Sequence, residues 1–440
     1  MDRSLGNLQW TGPRVLQHAG DICSESSMNG GCHAVKSCRA CLSTALAPVV
    51  SLGLLPLANQ YLPIGSTEPL QFYPHDMLRC ETCGLAQLGI TAPSSEVFER
   101  SYPYTSSTTR ALRENFADLA TEANALIGLA PEDLVIDIGG NDGNLLSNFV
   151  GKQRVLNVTP EDIGQLGVEL GIPHFQDYWD RRSAEAVVAK HGKARLITAT
   201  NVFAHITDPH AFVDAVLDTL IDDGVFVVEV QYLPSLLSGV QFDHLYLEHQ
   251  MFWGLDPLRT LLARHDLTIA FARTINSHGG SIRVYATRPD YARKLSEKAN
   301  AFPGRRVYQD DIDLREFTTF AKRVAESKVA LWRLLSSIKE QGGRIYGIGA
   351  PSRAATLVNY CGIDHNVLDC IVETSGSYKL GKMMPGTKIP VVGESALYEN
   401  QPEFALLLSW HLRFELAAAL KERGFRGRFI CPLPVAEVFQ

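Results

Sequence analysis

From about residue 110 the chain alternates apolar strand-like runs with helical stretches. After LRENFADLATEANALIG, which reads as an amphipathic helix, come LVIDIGG, RVLNVTP, ARLITATNVF and GVFVVEVQYL. Strands covered on both faces read as apolar runs, and strands separated by helices pair through crossovers rather than hairpins. The alternation therefore predicts an α/β domain with a parallel sheet between helices. A charged helical stretch from about Asp310 to Lys339 leads to a second α/β block, with strands in RIYGIGA, VLDCIVE, FALLLSW and GRFICPLP. A chain of 440 residues, 45% hydrophobic and 20% charged, has material for two or three cores. Its net charge of -7 and pI of 6.0 exclude binding of nucleic acid or an anionic membrane by bulk charge.

The first 35 residues lack hydrophobic periodicity and read as a flexible leader; Cys23, Met28 and Cys32 lie in it and are assigned no chemistry. The longest apolar stretch, residues 43–58, is broken by Pro48 and Pro56, and the N-terminus has no signal-peptide core, so a cytoplasmic chain that does not enter the membrane is expected. Residues 36–100 are rich in Pro, Gly and Cys and suit a small domain that needs a staple. CRAC (Cys38, Cys41) and CETC (Cys80, Cys83) supply one, since a two-residue gap lets both thiolates of a pair reach one tetrahedral ion. Four cysteines fill the coordination sphere, so the expected metal is a structural zinc. Cys361, Cys370 and Cys431 lie in apolar contexts and read as buried thiols.

LVIDIGGNDGNLL is a strand ending in Asp137, then Gly139, Gly140 and Gly143, then a helix. Glycines allow close approach of a ligand to the backbone, and a helix start offers it free N–H groups, although tight packing alone also uses such a turn. The pattern Asp-x-Gly-x-x-x-Gly differs from the dinucleotide pattern Gly-x-Gly-x-x-Gly and favours S-adenosylmethionine. The next strand should end in an acid for the ribose hydroxyls. Thr159 stands there instead, with Glu161 two residues on as a substitute, while Asp177 in FQDYWD is placed to accept from an adenine amine.

Ten motifs from CRAC to the end carry a resemblance: PLANQYL, CETCGLAQL, YPYTSS, IDIGGNDGNLL, NVFAHITD, GVFVVEVQYL, FDHLYLEH, HGGSIRVY, YGIGAPSRAATLVNYCGI and LGKMMPGTKIPV. Through them the chain resembles the sugar C-methyltransferases that modify nucleotide-linked 4-keto-deoxysugars in antibiotic biosynthesis. The resemblance implies a zinc module over 36–100, a Rossmann-like methyltransferase domain over 101–305 and a C-terminal Rossmann-like substrate domain over 306–440. It implies proton removal beside a ketone and attack of the enolate on the methyl group of S-adenosylmethionine. His249 is then the base, as a near-neutral imidazole suits a carbon acid. Glu248 orients or polarises it, Tyr246 positions the sugar or stabilises its oxyanion, Tyr104 reaches the sugar, and His205 lies close to the reacting carbon.

The expected cofactor shell comprises Asp137, Gly139, Gly140, Asn141, Asp142, Gly143, Thr159, Asp177 and Asn201. His278, Arg283 and Tyr285 are expected to line the acceptor cleft, and Ser352 and Arg353 to meet a phosphate or nucleotide edge at a helix start. His244 is read as structural or surface. Several positions depart from the family: Thr159, Asn115 where histidine is usual, His411 where asparagine is usual, and Glu373 with TSGSYK where an aspartate-and-proline pattern is usual. These departures keep open a non-sugar acceptor, or an isomerase, epimerase or lyase that enolises without methylating; a non-catalytic zinc-stapled scaffold has no need of a buried acid-base cluster. The expected partner is a small molecule, and the chain is expected as monomer or homodimer.

Overall fold

The computed structural model describes residues 32–91, 105–108, 110–300, 309–310 and 312–440. Residues 1–31 of the leader and Tyr104 lie outside the described residues. Helix α1 (Arg110–Ile127) buries Leu112, Phe116, Leu119, Ala123 and Leu126, the spacing that places one apolar stripe on a helix. It packs on a seven-stranded sheet made of β1 (Leu134–Ile138), β2 (Arg154–Val158), β3 (His174–Phe175), β4 (Ala194–Thr200), β5 (Leu220–Gln231), β6 (Thr268–Ile275) and β7 (Ser281–Thr287). The strands lie in the order β3-β2-β1-β4-β5-β7-β6, and β7 alone runs against its neighbours. The order reverses between β1 and β4, so a crevice opens at the ends of these two strands.

A second sheet holds β8 (Ile345–Ile348), β9 (Cys370–Glu373), β10 (Val391–Gly393), β11 (Phe404–Leu407), β12 (Arg428–Cys431) and β13 (Glu437–Phe439), in the order β10-β9-β8-β11-β12-β13. Only β13 is antiparallel. Helix α2 (Leu314–Glu340) precedes this sheet, and α3 (Ser352–Cys361) follows β8. The sequence pattern locates the principal parallel strands of both sheets, whereas β6, β10 and β13 escape it because they are short or only half buried.

The cysteine-rich module ties the two sheets together. Its strands Leu46–Pro56, Phe72–Cys80 and Ala86–Leu88 are joined by a fourth, Met251–Phe252, which pairs Met251 with Gln87 and Phe252 with Ala86. Leu62–Pro63 in turn pairs with Lys382–Met383 of the C-terminal block. One hydrophobic core runs through Leu55, Met77 and Leu88 of the module, Leu236 and Phe242 of the middle of the chain, and Leu335, Ile345 and Leu357 of the C-terminal block. The stretch FDHLYLEHQMFW is thereby held between three parts of the fold. No helix among the described residues is long and apolar enough to cross a membrane.

Candidate active site

The four cysteines of the two pairs converge, all Sγ atoms lying within 4.8 Å of one another. The Sγ atoms of Cys38 and Cys83 are 3.5 Å apart and those of Cys41 and Cys80 3.4 Å, close to the edge of about 3.8 Å that a tetrahedron with Zn–S of about 2.3 Å requires. The backbone N–H groups of Ala40 and Cys41 point at Cys38 Sγ and that of Thr82 at Cys80 Sγ, as they would to support thiolates. The donor set fits zinc and leaves no position for a substrate. Between the ligands, Arg39 donates from its backbone to Gln87 Oε1 and from Nη1 to the Thr207 carbonyl, which ties the knuckle to the loop after His205.

A cavity of 1940 Å³ lies where the crevice of the seven-stranded sheet faces β8, β9 and α3 of the second sheet. At one end β1 delivers Asp137 and the turn Gly139–Gly140–Asn141 to its wall. Gly139 has φ +69°, and a Cβ there would meet Val202 at 2.4 Å; at Gly140 it would lie 2.6 Å from Asn157 Oδ1 and 2.8 Å from Asp137 Oδ2. The turn is thus a cradle that side chains would fill, which fits the amino-acid end of the expected cofactor. Asp137 accepts from Thr198 Oγ1 at 2.6 Å, and burial pushes its carboxyl up to about 7. Asp142 accepts from Ser106 Oγ at 2.5 Å and from the Ser107 N–H at 3.1 Å, so it pins residues 106–108 over the turn and does not itself line the cavity. Gly143 also stays out of the wall, packed against Ile172. Asn201, with φ +59°, and Asp177, paired with Arg182, both line the cavity.

Thr159 requires a correction. It is completely buried and gives its hydroxyl to Glu161 Oε2, and it is Glu161 that faces the cavity. A carboxylate thus lines the cavity two residues after the end of β2, with the Thr159 hydroxyl bonded to it.

The acid-base cluster occupies the middle of the cavity. His249 Nδ1 lies 3.2 Å from the His244 carbonyl, to which it donates, so Nε2 carries the lone pair and accepts from the Tyr246 hydroxyl at 3.0 Å. His205 Nδ1 likewise donates to the Glu248 carbonyl at 2.6 Å, and its ring centroid is 4.8 Å from that of His249. Both imidazoles are held below their ordinary basicity, first by burial. Among the described residues no hydrogen bond joins the Glu248 side chain to His249. Its Oε1 accepts from Asn59 Nδ2 at 3.0 Å, Oε2 has no partner among the described residues, and burial raises its carboxyl to about 7. Asn59 Oδ1 accepts in turn from Ser352 Oγ at 2.9 Å, linking the module to the start of α3.

The far wall belongs to the C-terminal block. Arg353 is buried, with Nε and Nη2 donating to the two oxygens of Asp243 at 2.7 and 2.9 Å and Nη1 donating to His411 Nδ1 at 3.1 Å. Ser352, Arg353, His411 and His278 all line the cavity, but the Ser352 hydroxyl and most of the Arg353 fork are committed within the protein. Arg283 and Tyr285 do not reach it. Both are completely buried under α1, where Arg283 binds Glu229, Glu122, Asp118 and Asn115, and Tyr285 donates to Glu122 at 2.7 Å. Their strand, β7, turns these side chains toward the helix layer, so their role is to fix α1. Asn115 belongs to the same network through Glu229. His244, read as structural or surface, is instead a buried part of the cavity wall.

The parallel sheet with its one antiparallel strand, the glycine cradle and the facing carboxylates define a Rossmann-like S-adenosylmethionine-dependent methyltransferase carrying a zinc module. Comparison with known proteins agrees. Residues 38–98 match a zinc binding domain model, residues 104–270 a methyltransferase domain and residues 276–434 the C-methyltransferase C-terminal domain. The C-methyltransferase NovU of Streptomyces niveus is 30% identical over 420 residues, 92% of this chain and 97% of that one. The chain belongs to the C-methyltransferase family. Among solved structures, an S-adenosylmethionine-dependent methyltransferase from Clostridium acetobutylicum aligns at 14% identity and a TM-score of 0.32 over 40% of this chain and 92% of that chain. Magnesium protoporphyrin IX methyltransferase of Synechocystis, with S-adenosylhomocysteine bound, aligns at 14% identity and a TM-score of 0.32 over 40% and 82%.

Proposed function

We propose that the acceptor is a nucleotide-linked 4-keto-deoxysugar, methylated at the carbon beside the ketone, C3, and that His249 is the base. The observation that carries this reading is the Tyr246–His249 pair. Its basic nitrogen faces a cavity with the carboxylates of Asp137, Glu161 and Asp177 toward one end and Arg353 at the other. Asp137, Asn141, Glu161, Asp177 and Asn201 would hold S-adenosylmethionine, which supplies an electrophilic methyl group when bound.

Burial keeps His249 in its neutral, proton-accepting form. The Tyr246 hydroxyl has a single hydrogen. Turned from His249 to the acceptor's ketone oxygen, it frees Nε2 to take the carbon-bound proton and at the same time donates to the oxygen on which negative charge develops. The imidazolium formed keeps its Nδ1–H on the His244 carbonyl. Glu248, neutral up to about pH 7, has its unpartnered oxygen available as a second donor to the enolate oxygen. Met251 and Phe252, buried in the cavity wall, keep water from quenching the enolate.

His249→Ala is expected to slow both methyl transfer and exchange of the acceptor's α-proton with deuterated solvent by about 10²- to 10⁴-fold, the usual weight of a positioned base. Unchanged zinc content and circular dichroism would show that the fold survives. Exchange at the wild-type rate in this variant would assign the base elsewhere. Glu161 in the cavity wall favours the methylating reading over the enolising one that Thr159 keeps open.

A further inference from the structure

The C-terminal side of the cavity contains a cluster that the methyl transfer just described does not use. His244, on the turn Phe242–His244, is buried, and neither of its ring nitrogens has a hydrogen-bond partner among the described residues. Its ring stacks on His249 at 5.6 Å and 19° and lines the cavity. His278 comes from the loop between β6 and β7 in a left-handed conformation, φ +51°, which histidine adopts more readily than most side chains. His411 comes from the turn Trp410–Leu412 of the C-terminal block. Three separate segments thus bring one imidazole each to the same wall, around Arg353.

The charge balance of this wall indicates the kind of ligand. Its guanidinium is matched by Asp243, which also accepts from Trp410 Nε1 at 2.8 Å, so the ion pair is fixed and contributes no net charge. Because Arg353 donates to His411 Nδ1, neutral His411 carries its proton on Nε2, the side away from the arginine. The groups that bear electrostatically on the three histidines are Arg353, His249 and one another, and all of these disfavour a further positive charge. Burial is the larger cause, and together they lower His278 to about 4 and His411 to about 3, with His244 also well below its ordinary value. A neutral polyol would leave these imidazoles as they are. An anion would reverse the balance: a protonated His244 or His278 ring offers it two charge-assisted donors, a protonated His411 offers Nε2–H while giving up the bond from Arg353, and the arginine's repulsion is offset by the ligand.

We infer that His244, His278 and His411 form a proton-accepting basket for the phosphate groups of the acceptor, and that the acceptor binds together with a proton taken from solvent. The inference rests on the reading of the acceptor as a phosphate-bearing sugar, and it goes beyond that reading in assigning the phosphate end to imidazoles rather than to Arg353 and Ser352. By linkage, affinity falls as pH rises, by about tenfold per pH unit where one proton is taken up.

The test uses thymidine-diphosphate-glucose, which lacks the ketone and carries phosphates of fixed charge near neutrality. Calorimetric titration of the zinc-loaded protein at about pH 7, in buffers of different ionisation heat, reads proton uptake directly. About one proton taken up per ligand, affinity that weakens toward about pH 8, and loss of uptake in both His244→Gln and His411→Asn are the expected results. Thymidine, which has no phosphate, should bind without uptake. Binding of the sugar nucleotide with no proton exchange, uptake unchanged in both variants, or no binding in protein that still binds S-adenosylmethionine would each overturn the basket. Deuterium exchange with the keto-sugar separately reads the base, so either idea can fail while the other stands.

Discussion

Glu248 acts through two different atoms. Its carbonyl fixes the tautomer of His205, and its carboxyl, held on one side by Asn59, stays neutral to about pH 7 because burial penalises the ion. On the proposed mechanism the expected consequence is a loss of kcat as pH rises through about 7, where the donor proposed for the enolate oxygen is lost. Glu248→Gln should retain a neutral donor and flatten that limb in a pH–rate profile. The same group is linked to stability. Its folded pKa lies above the unfolded value of about 4.3, so its contribution is complete below that value and is lost as pH rises through about 7. The Tm of Glu248→Gln relative to wild type should therefore increase from about pH 5 to about pH 8 in paired thermal melts. Glu161 gives a second residue-level test: Glu161→Ala removes hydrogen bonds to a charged group worth about 1.5 to 3 kcal/mol, so S-adenosylmethionine should bind roughly 10- to 100-fold more weakly by calorimetry. Thr159→Val, which only releases the orientation of Glu161, should cost less.

At the scale of elements, the short strand Met251–Phe252 connects metal to chemistry. It follows the Glu248–His249 pair and forms one edge of the sheet in which the strand Phe72–Cys80, two strands away, ends in the zinc ligand Cys80. Cys80→Ser, or a strong chelator, should release zinc, lower Tm and abolish methyl transfer together, and hydrogen exchange should show residues 244–252 losing protection along with 72–88. The strands around the cofactor were legible in the sequence because parallel strands buried on both faces read as apolar runs, and the two cysteine pairs because their spacing serves one kind of site. Arg283 and Tyr285 were misplaced because a motif gives the strand and not which layer of the fold the side chain enters. His244 was missed because its position depends on a single turn lodged between distant segments, whereas Glu161 was legible as the carboxylate nearest to the end of β2.

At the scale of the molecule, the module is a bracket between two α/β blocks. Asn59 donates to Glu248 and accepts from Ser352, and Tyr61 donates to the Ala350 carbonyl at 3.0 Å, so one short loop touches both walls of the cavity. Asn59→Ala should lower kcat by about tenfold, in proportion to one or two lost hydrogen bonds of about 1 kcal/mol each, while leaving S-adenosylmethionine affinity unchanged, because the cofactor end lies beyond its reach. The strand borrowed by the module also bears on how such enzymes can be recombined. A hybrid cut between the zinc module and the methyltransferase domain would separate Ala86–Leu88 from Met251–Phe252 and leave a partly matched sheet edge two residues from His249. Parts exchanged between relatives should therefore be chosen so that residues 38–91 and 233–253 come from the same parent, even though some 140 residues of chain separate them.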